Sequence, residues 1–148
     1  MTTLLIDSSV LIKWLHSNGE AELQESRSLR AAHLAGDVEA RIIDLALYEV
    51  GNVLLRALRW SSDDVADQLD DLLTICGAPL TMTADWFHLA AKLAGEHRLS
   101  LYDASWAAAA GALEIPLVSA DSRLLAACLA ESPTDIASRL RLPGEPTG

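Results

Sequence analysis

Apolar residues in this chain fall in short runs that alternate with longer stretches of helical spacing. Residues 3–6 predict a brief buried strand, and residues 8–15 a helix directly after it. Asn18-Gly19 breaks the pattern. Residues 20–35, rich in charge and weakly periodic, predict a second helix stopping near Gly36. Residues 40–43 predict a second strand, and Asp44 is placed to N-cap a helix over 45–58. Leu47, Val50, Val53, Leu54, Ala57 and Leu58 give that helix one apolar face. Ser61-x-x-Asp64 has the form of a capping box before a helix bearing Val65, Leu69 and Leu72.

Beyond Pro79, residues 80–82 predict a short strand. Thr83 caps a helix with Trp86, Leu89, Ala90, Leu93 and Ala94 on one face. The alanine-rich segment 101–113 predicts a helix that lets its neighbours approach closely. A strand over 115–118 and a helix over 122–130 follow. Pro133 reads as an interruption, 134–142 has no clear state, and 143–148 reads as a flexible C-terminal tail. Strands alternating with helices predict an α/β fold with a short, mostly parallel central sheet flanked by helices. The whole reads as one domain over 1–142.

Composition agrees with that size. A chain of 148 residues that is 51% apolar buries one ordinary core and is not disordered. No apolar run approaches the roughly 18 residues of a membrane span. The N-terminus has no basic segment ahead of an apolar one, so a secretory signal is not expected and the reading is cytoplasmic. Cys76 and Cys128 have no CxxC partner and read as buried thiols. His16, His33, His88 and His97 lack HxxxH or HExxH spacing, which argues against zinc.

The net charge of −10 counts against a module that follows nucleic acid by backbone electrostatics alone. It does not exclude a nuclease whose acids are metal ligands. Two divalent ions would bring the formal sum from −10 to −6 and make the cleft locally positive.

Four acids stand out: Asp7, Glu49, Asp103 and Asp121. Asp7 and Asp121 end short apolar runs, where an open parallel sheet lines its ligand crevice. Helix capping explains Asp7 and Asp121 individually, each cap stabilising by about 0.5–2 kcal/mol, and Asp103 falls in a first turn where acids are favoured. Glu49 borders an apolar helix face, with Asn52 one turn on. A carboxylate there is costly unless paired, metal-bound or solvated at the rim. Taken together the acids suit Mg2+ or Mn2+, with Ser9 and Ser119 as donors that orient them.

At four places, in order, the chain resembles PIN-domain nucleases, and among them the small VapC-type toxins of toxin–antitoxin pairs. They are Leu5-Ile6-Asp7-Ser8-Ser9-Val10-Leu11, Glu49-Val50-Gly51-Asn52-Val53-Leu54, the run from Leu101-Tyr102-Asp103 to Ala110, and Ile115-Pro116-Leu117-Val118-Ser119-Ala120-Asp121. Ser119 stands where the family often has Thr, which keeps the hydroxyl. The resemblance implies a PIN-like three-layer sandwich in which Asp7, Glu49, Asp103 and Asp121 bind Mg2+ or Mn2+. It implies an endoribonuclease acting on RNA, a VapB-type antitoxin whose basic arm reaches the acidic cleft, and a homodimer.

On that reading the ions hold the scissile phosphate and activate a water, with Glu49 a ligand or a water-positioning base. Lys13 and Arg123, close in sequence to two of the acids, are candidate RNA contacts. Two other classes stay open: a phosphatase with Asp7 as nucleophile, which ordinarily wants a second acid where Ser9 stands, and a non-catalytic acidic module binding a basic partner.

Overall fold

The computed structural model describes residues 1–17 and 21–143. The break at Asn18-Gly19, the first residue of the 20–35 helix, and the tail past residue 143 lie outside the described residues. Strands β1 (Thr2–Ile6), β2 (Val38–Arg41) and β3 (Leu117–Val118) form a parallel sheet in the order β2-β1-β3. Leu4, Leu5 and Ile6 are fully buried on the central strand. This near-continuous apolar run is expected of a parallel strand covered on both faces.

From β1 the chain passes through α1 (Ser8–Leu15) and α2 (Leu23–Leu34) to β2, on one side. It later reaches β3 on the other side. Right-handed crossovers running in opposite directions put their helices on opposite faces, giving the three layers. The reversal of strand order at β1 opens a crevice beyond its carboxyl end. Among the described residues no helix is long and apolar enough to cross a membrane.

Asp7 begins α1, its side chain accepting from the Ser9 and Val10 amides. Trp14 buries its ring against α2 and donates from Nε1 to the Ser26 carbonyl at 2.8 Å. Helix α3 (Leu45–Asn52) continues directly into a π-helical turn, Val53–Ala57. There Leu58 N–H bonds the Val53 carbonyl at 3.0 Å, five residues back. The wider turn rotates the predicted apolar face, so Leu54 stays buried while Val53 is 37% exposed. Asp44 does not cap α3, having helical dihedrals and no side-chain cap bond. Its amide instead bonds the Leu80 carbonyl, and Leu80 forms only an isolated bridge to Ile43 rather than a strand.

Helix α4 (Ser62–Cys76) starts at the Ser61 cap, whose hydroxyl accepts from the Asp64 amide. Helices α5 (Ala84–His97) and α6 (Leu101–Leu113) pack along each other, their alanines permitting close approach. Helix α7 (Ser122–Ala126) is shorter than predicted. Helix α8 (Pro133–Arg139) occupies part of the segment that had no clear state. Its Pro133 is not an interruption: it sits at the helix start, where a missing N–H costs nothing. Cys76 is buried, and burial pushes its thiol up to about 11. Cys128 is exposed at a left-handed backbone position (φ 58°), not buried as its apolar neighbours suggested.

Candidate metal centre

Helix α1 leaves β1, and α7 leaves β3, at the same end of the sheet, so their N-caps are neighbours. Asp7 and Asp121 are those caps. Ser9 and Ser119 tie them together. Ser9 Oγ donates to Asp7 Oδ1 and accepts from the Ala120 amide at 2.9 Å. Ser119 Oγ accepts from the Asp121 amide at 2.9 Å and lies 3.4 Å from Ser9 Oγ. Two loops more than a hundred residues apart are thus held by two hydroxyls.

Glu49 reaches the same crevice from α3. Its Oε1 accepts from Ser8 Oγ at 2.9 Å and from Trp106 Nε1 at 2.8 Å, leaving Oε2 without a hydrogen bond among the described residues. Asp103 stands in the first turn of α6, capped by Ser100, one turn before Trp106. Asp121 places both its cap bonds on Oδ1, from the Arg123 and Leu124 amides.

The electrostatics link these groups in series. Asp7 is only 4% exposed, and burial lifts its carboxyl from 3.8 to about 6. Hydrogen bonds from Ser119, Ser9 and the Val10 amide oppose that rise, and the charge of Glu49 adds to it. Glu49 is raised by burial and further by Asp103, against the Trp106 and Ser8 hydrogen bonds. Asp103 is raised by burial and then by Asp121, while Ser100 and Arg123 lower it. Each carboxylate therefore feels the next across one crevice. Among the described residues no three His, Cys, Asp or Glu side chains stand as a finished metal cage. Bonds from Ser9 to Asp7, from Ser8 and Trp106 to Glu49, and from the α7 amides to Asp121 fix these three carboxylates separately.

A model of the PIN domain family matches residues 4–128. The chain belongs to the PIN domain family. PIN domains are generally nucleases that typically use divalent metal ions. Solved structures agree on the fold. A crystal structure from Pyrobaculum aerophilum is 23% identical with a TM-score of 0.65, over 95% of this chain and 97% of that one. A toxin–antitoxin complex from Klebsiella pneumoniae is 18% identical with a TM-score of 0.63, over 88% and 97%. FitAcB from Neisseria gonorrhoeae is 16% identical with a TM-score of 0.62, over 88% and 98%. A comparison with curated proteins gave no match.

The remaining sequence candidates divide. Asn52 is exposed and lines a groove beside Glu49, but makes no hydrogen bond to the carboxylates. Arg123 is exposed and close enough to Asp103 to lower its pKa. Lys13 is corrected: it is 5% exposed and engaged within the protein, so its ammonium is not presented to a passing RNA. Sequence reasoning missed the grips on Glu49. Ser8 was visible beside Asp7, and Trp106 shares a helix face with Asp103 at i and i+3. Nothing local shows that both reach Glu49.

Proposed function

We propose that this PIN domain is a metal-dependent endoribonuclease serving as the toxin of a toxin–antitoxin pair. The supporting observation is the serial coupling from Asp7 through Glu49 and Asp103 to Asp121 at the sheet's switch point. Asp7 is a buried carboxylate that desolvation raises to about 6, with Glu49 adding to the rise, and a cation bound beside it would favour its ionised form. These hard oxygen donors fit Mg2+ or Mn2+, with Asp7, Glu49, Asp103 and Asp121 as the holding residues. When bound, such an ion neutralises charge at the scissile phosphate and acidifies a water.

The chain's own residues do the rest. Ser9 and Ser119 fix the Asp7 carboxylate and the Asp121 backbone. Ser8 and Trp106 occupy Glu49 Oε1, so its free Oε2 serves as a ligand or takes a proton from water. Arg123 meets phosphate at the rim. The acidic mouth attracts a basic arm of an antitoxin, and a solved toxin–antitoxin complex from Klebsiella pneumoniae shares this fold. Homodimerisation belongs to the same reading and is measured by sedimentation. The second reading, a non-catalytic acidic module, draws on the fact that Asp7 and Asp121 do cap their helices.

The test is cleavage of single-stranded RNA with Mg2+, with chelator, and by Asp7→Asn. Cleavage lost under the last two conditions is expected. Activity surviving both would overturn the metal-dependent reading.

A further inference from the structure

After α7 the chain turns back to the sheet. The Glu131 amide donates to the Leu117 carbonyl at 2.8 Å, and the Glu131 carbonyl accepts from the Ser119 amide at 3.0 Å. Val118 and Glu131 thus form a parallel bridge on the edge of β3 that faces away from β1. Strand β3 is only two residues long, and Ser119 follows it directly. The Ser119 hydroxyl bonds Asp7 and accepts from the Asp121 amide. The segment around Glu131 therefore supports the backbone on which Asp7 and Asp121 depend. It lies beyond residue 128, where the match to the PIN family model ends.

Helix α8 is tied at both ends. Arg139, in its last turn, donates from Nε and Nη2 to the two carboxylate oxygens of Glu131 at 2.9 and 2.8 Å. At its start Pro133 has no N–H, and the Asp135 amide donates to Ser132 Oγ. The Thr134 amide and hydroxyl both donate to Glu22 Oε2, at 2.9 and 2.6 Å. Glu22 is 112 residues away, just ahead of α2, and its side chain makes no cap bond to that helix. Its backbone is left-handed (φ 56°), a conformation unfavourable for a residue with a Cβ. A strained residue whose carboxylate serves another helix points to a role outside its own.

We infer that Glu22 is a positioning residue for the candidate metal centre: its clasp on α8 keeps the Glu131 segment against β3 and so fixes Ser119 where it aligns Asp7 and Asp121. The assignment rests on the metal-centre reading above and adds the element that supports that centre from behind. The contacts run without a gap, from Glu22 to Thr134, through α8 and Arg139 to Glu131, and from Glu131 to Ser119 and the two acids. Pro133 and Ile136 are buried, so α8 keeps its apolar footing when Glu22 is changed. Substitution there tests alignment rather than folding.

The test measures amide hydrogen exchange of the full chain by NMR in chelator, and Mn2+ affinity separately by titration calorimetry. Glu22→Ala should speed exchange at Ser119, and at Ala120 and Asp121, whose amides donate to Ser9 Oγ and Ser119 Oγ. The expected rise is about three- to tenfold, the equivalent of one typical hydrogen bond. The Leu58 amide, bonded to the Val53 carbonyl in the π-helical turn, should keep its rate. Glu22→Gln, whose side-chain oxygen still accepts from Thr134, should restore wild-type exchange. Mn2+ binding should weaken about threefold or more in Glu22→Ala and recover in Glu22→Gln. Unchanged exchange at Ser119, or an equal rise at Leu58, would overturn the role, the effect being absent or merely global. Faster exchange with wild-type Mn2+ affinity would overturn it too, leaving α8 a structural prop. Mn2+ bound by a wild type whose Ser119 exchange ignores Glu22 keeps the metal reading and removes the clasp. No Mn2+ binding by the wild type removes the metal reading, while the exchange pattern still upholds or overturns the clasp on Ser119.

Discussion

Replacing Asp7 by Asn should make the metal-free protein more stable at neutral pH while abolishing its activity. Asp7 is buried, and its carboxyl is lifted from 3.8 to about 6 chiefly by desolvation. The native state therefore holds this proton more tightly than the unfolded chain. Stability from this group is fully present below pH 3.8 and is lost as pH rises to about 6. At pH 7 the loss corresponds to about 3 kcal/mol. Asn carries no charge to desolvate and caps a helix as well as Asp does, so the contacts from the Ser9 and Val10 amides survive. Some of the gain is offset where the amide NH2 replaces an acceptor oxygen, leaving about 1–3 kcal/mol. In a domain of this size that raises Tm by roughly 2–12 °C. Urea unfolding in chelator at pH 7 and at pH 4 measures it. The variant should be the more stable at pH 7 and lose that advantage at pH 4. A destabilised Asp7→Asn at pH 7, or an advantage that grows toward pH 4, would refute the reasoning.

Trp106→Phe keeps an aromatic ring in the core and removes the 2.8 Å bond to Glu49. A hydrogen bond to a charged group is worth about 1.5–3 kcal/mol, so RNA cleavage should fall about tenfold or more with unchanged far-UV circular dichroism. Among the described residues the buried Ser26 hydroxyl has no hydrogen-bond partner. Ser26→Ala should be neutral or stabilise by about 1 kcal/mol in urea unfolding, where removing a satisfied hydroxyl would have cost stability. Mn2+ or Mg2+ should raise the wild-type Tm, by an amount equivalent to about 2.7 kcal/mol at a hundred times Kd. Asp7→Asn should lose most of that shift in the same thermal scan.

The sequence was most legible where a helix start is written in one side chain. Helix α1 begins and ends where the sequence places it, because Asp7 bonds the amides that follow, and α6 matches the alanine-rich segment 101–113. It was less legible where apolar residues serve a loop. Ile42 and Ile43 are fully buried but lie past β2, so the predicted strand sits two residues late. The π-helical turn has no signature in apolar spacing, since only the Leu58 to Val53 bond reveals it. Pro133 was read as a breaker because the same residue that ends one helix can begin another.

For the candidate centre, Asp7 and Asp121 were visible as strand-end acids. Their joining through Ser9 and Ser119 spans 110 residues and depends on the sheet order. The grip on Glu49 depends on Ser8 and Trp106, 41 and 57 residues away. Lys13 was misjudged because sequence proximity to Asp7 says nothing about burial. Its helix turns it into the protein.

Titration calorimetry of Mn2+ into wild type, Asp7→Asn and Asp103→Asn at pH 7 addresses the shared cation directly. Saturable binding by the wild type, weakened at least tenfold by either substitution despite their separation in the chain, is the predicted result. No binding heat at millimolar Mn2+, or wild-type affinity in both variants, would contradict a common metal held by these acids.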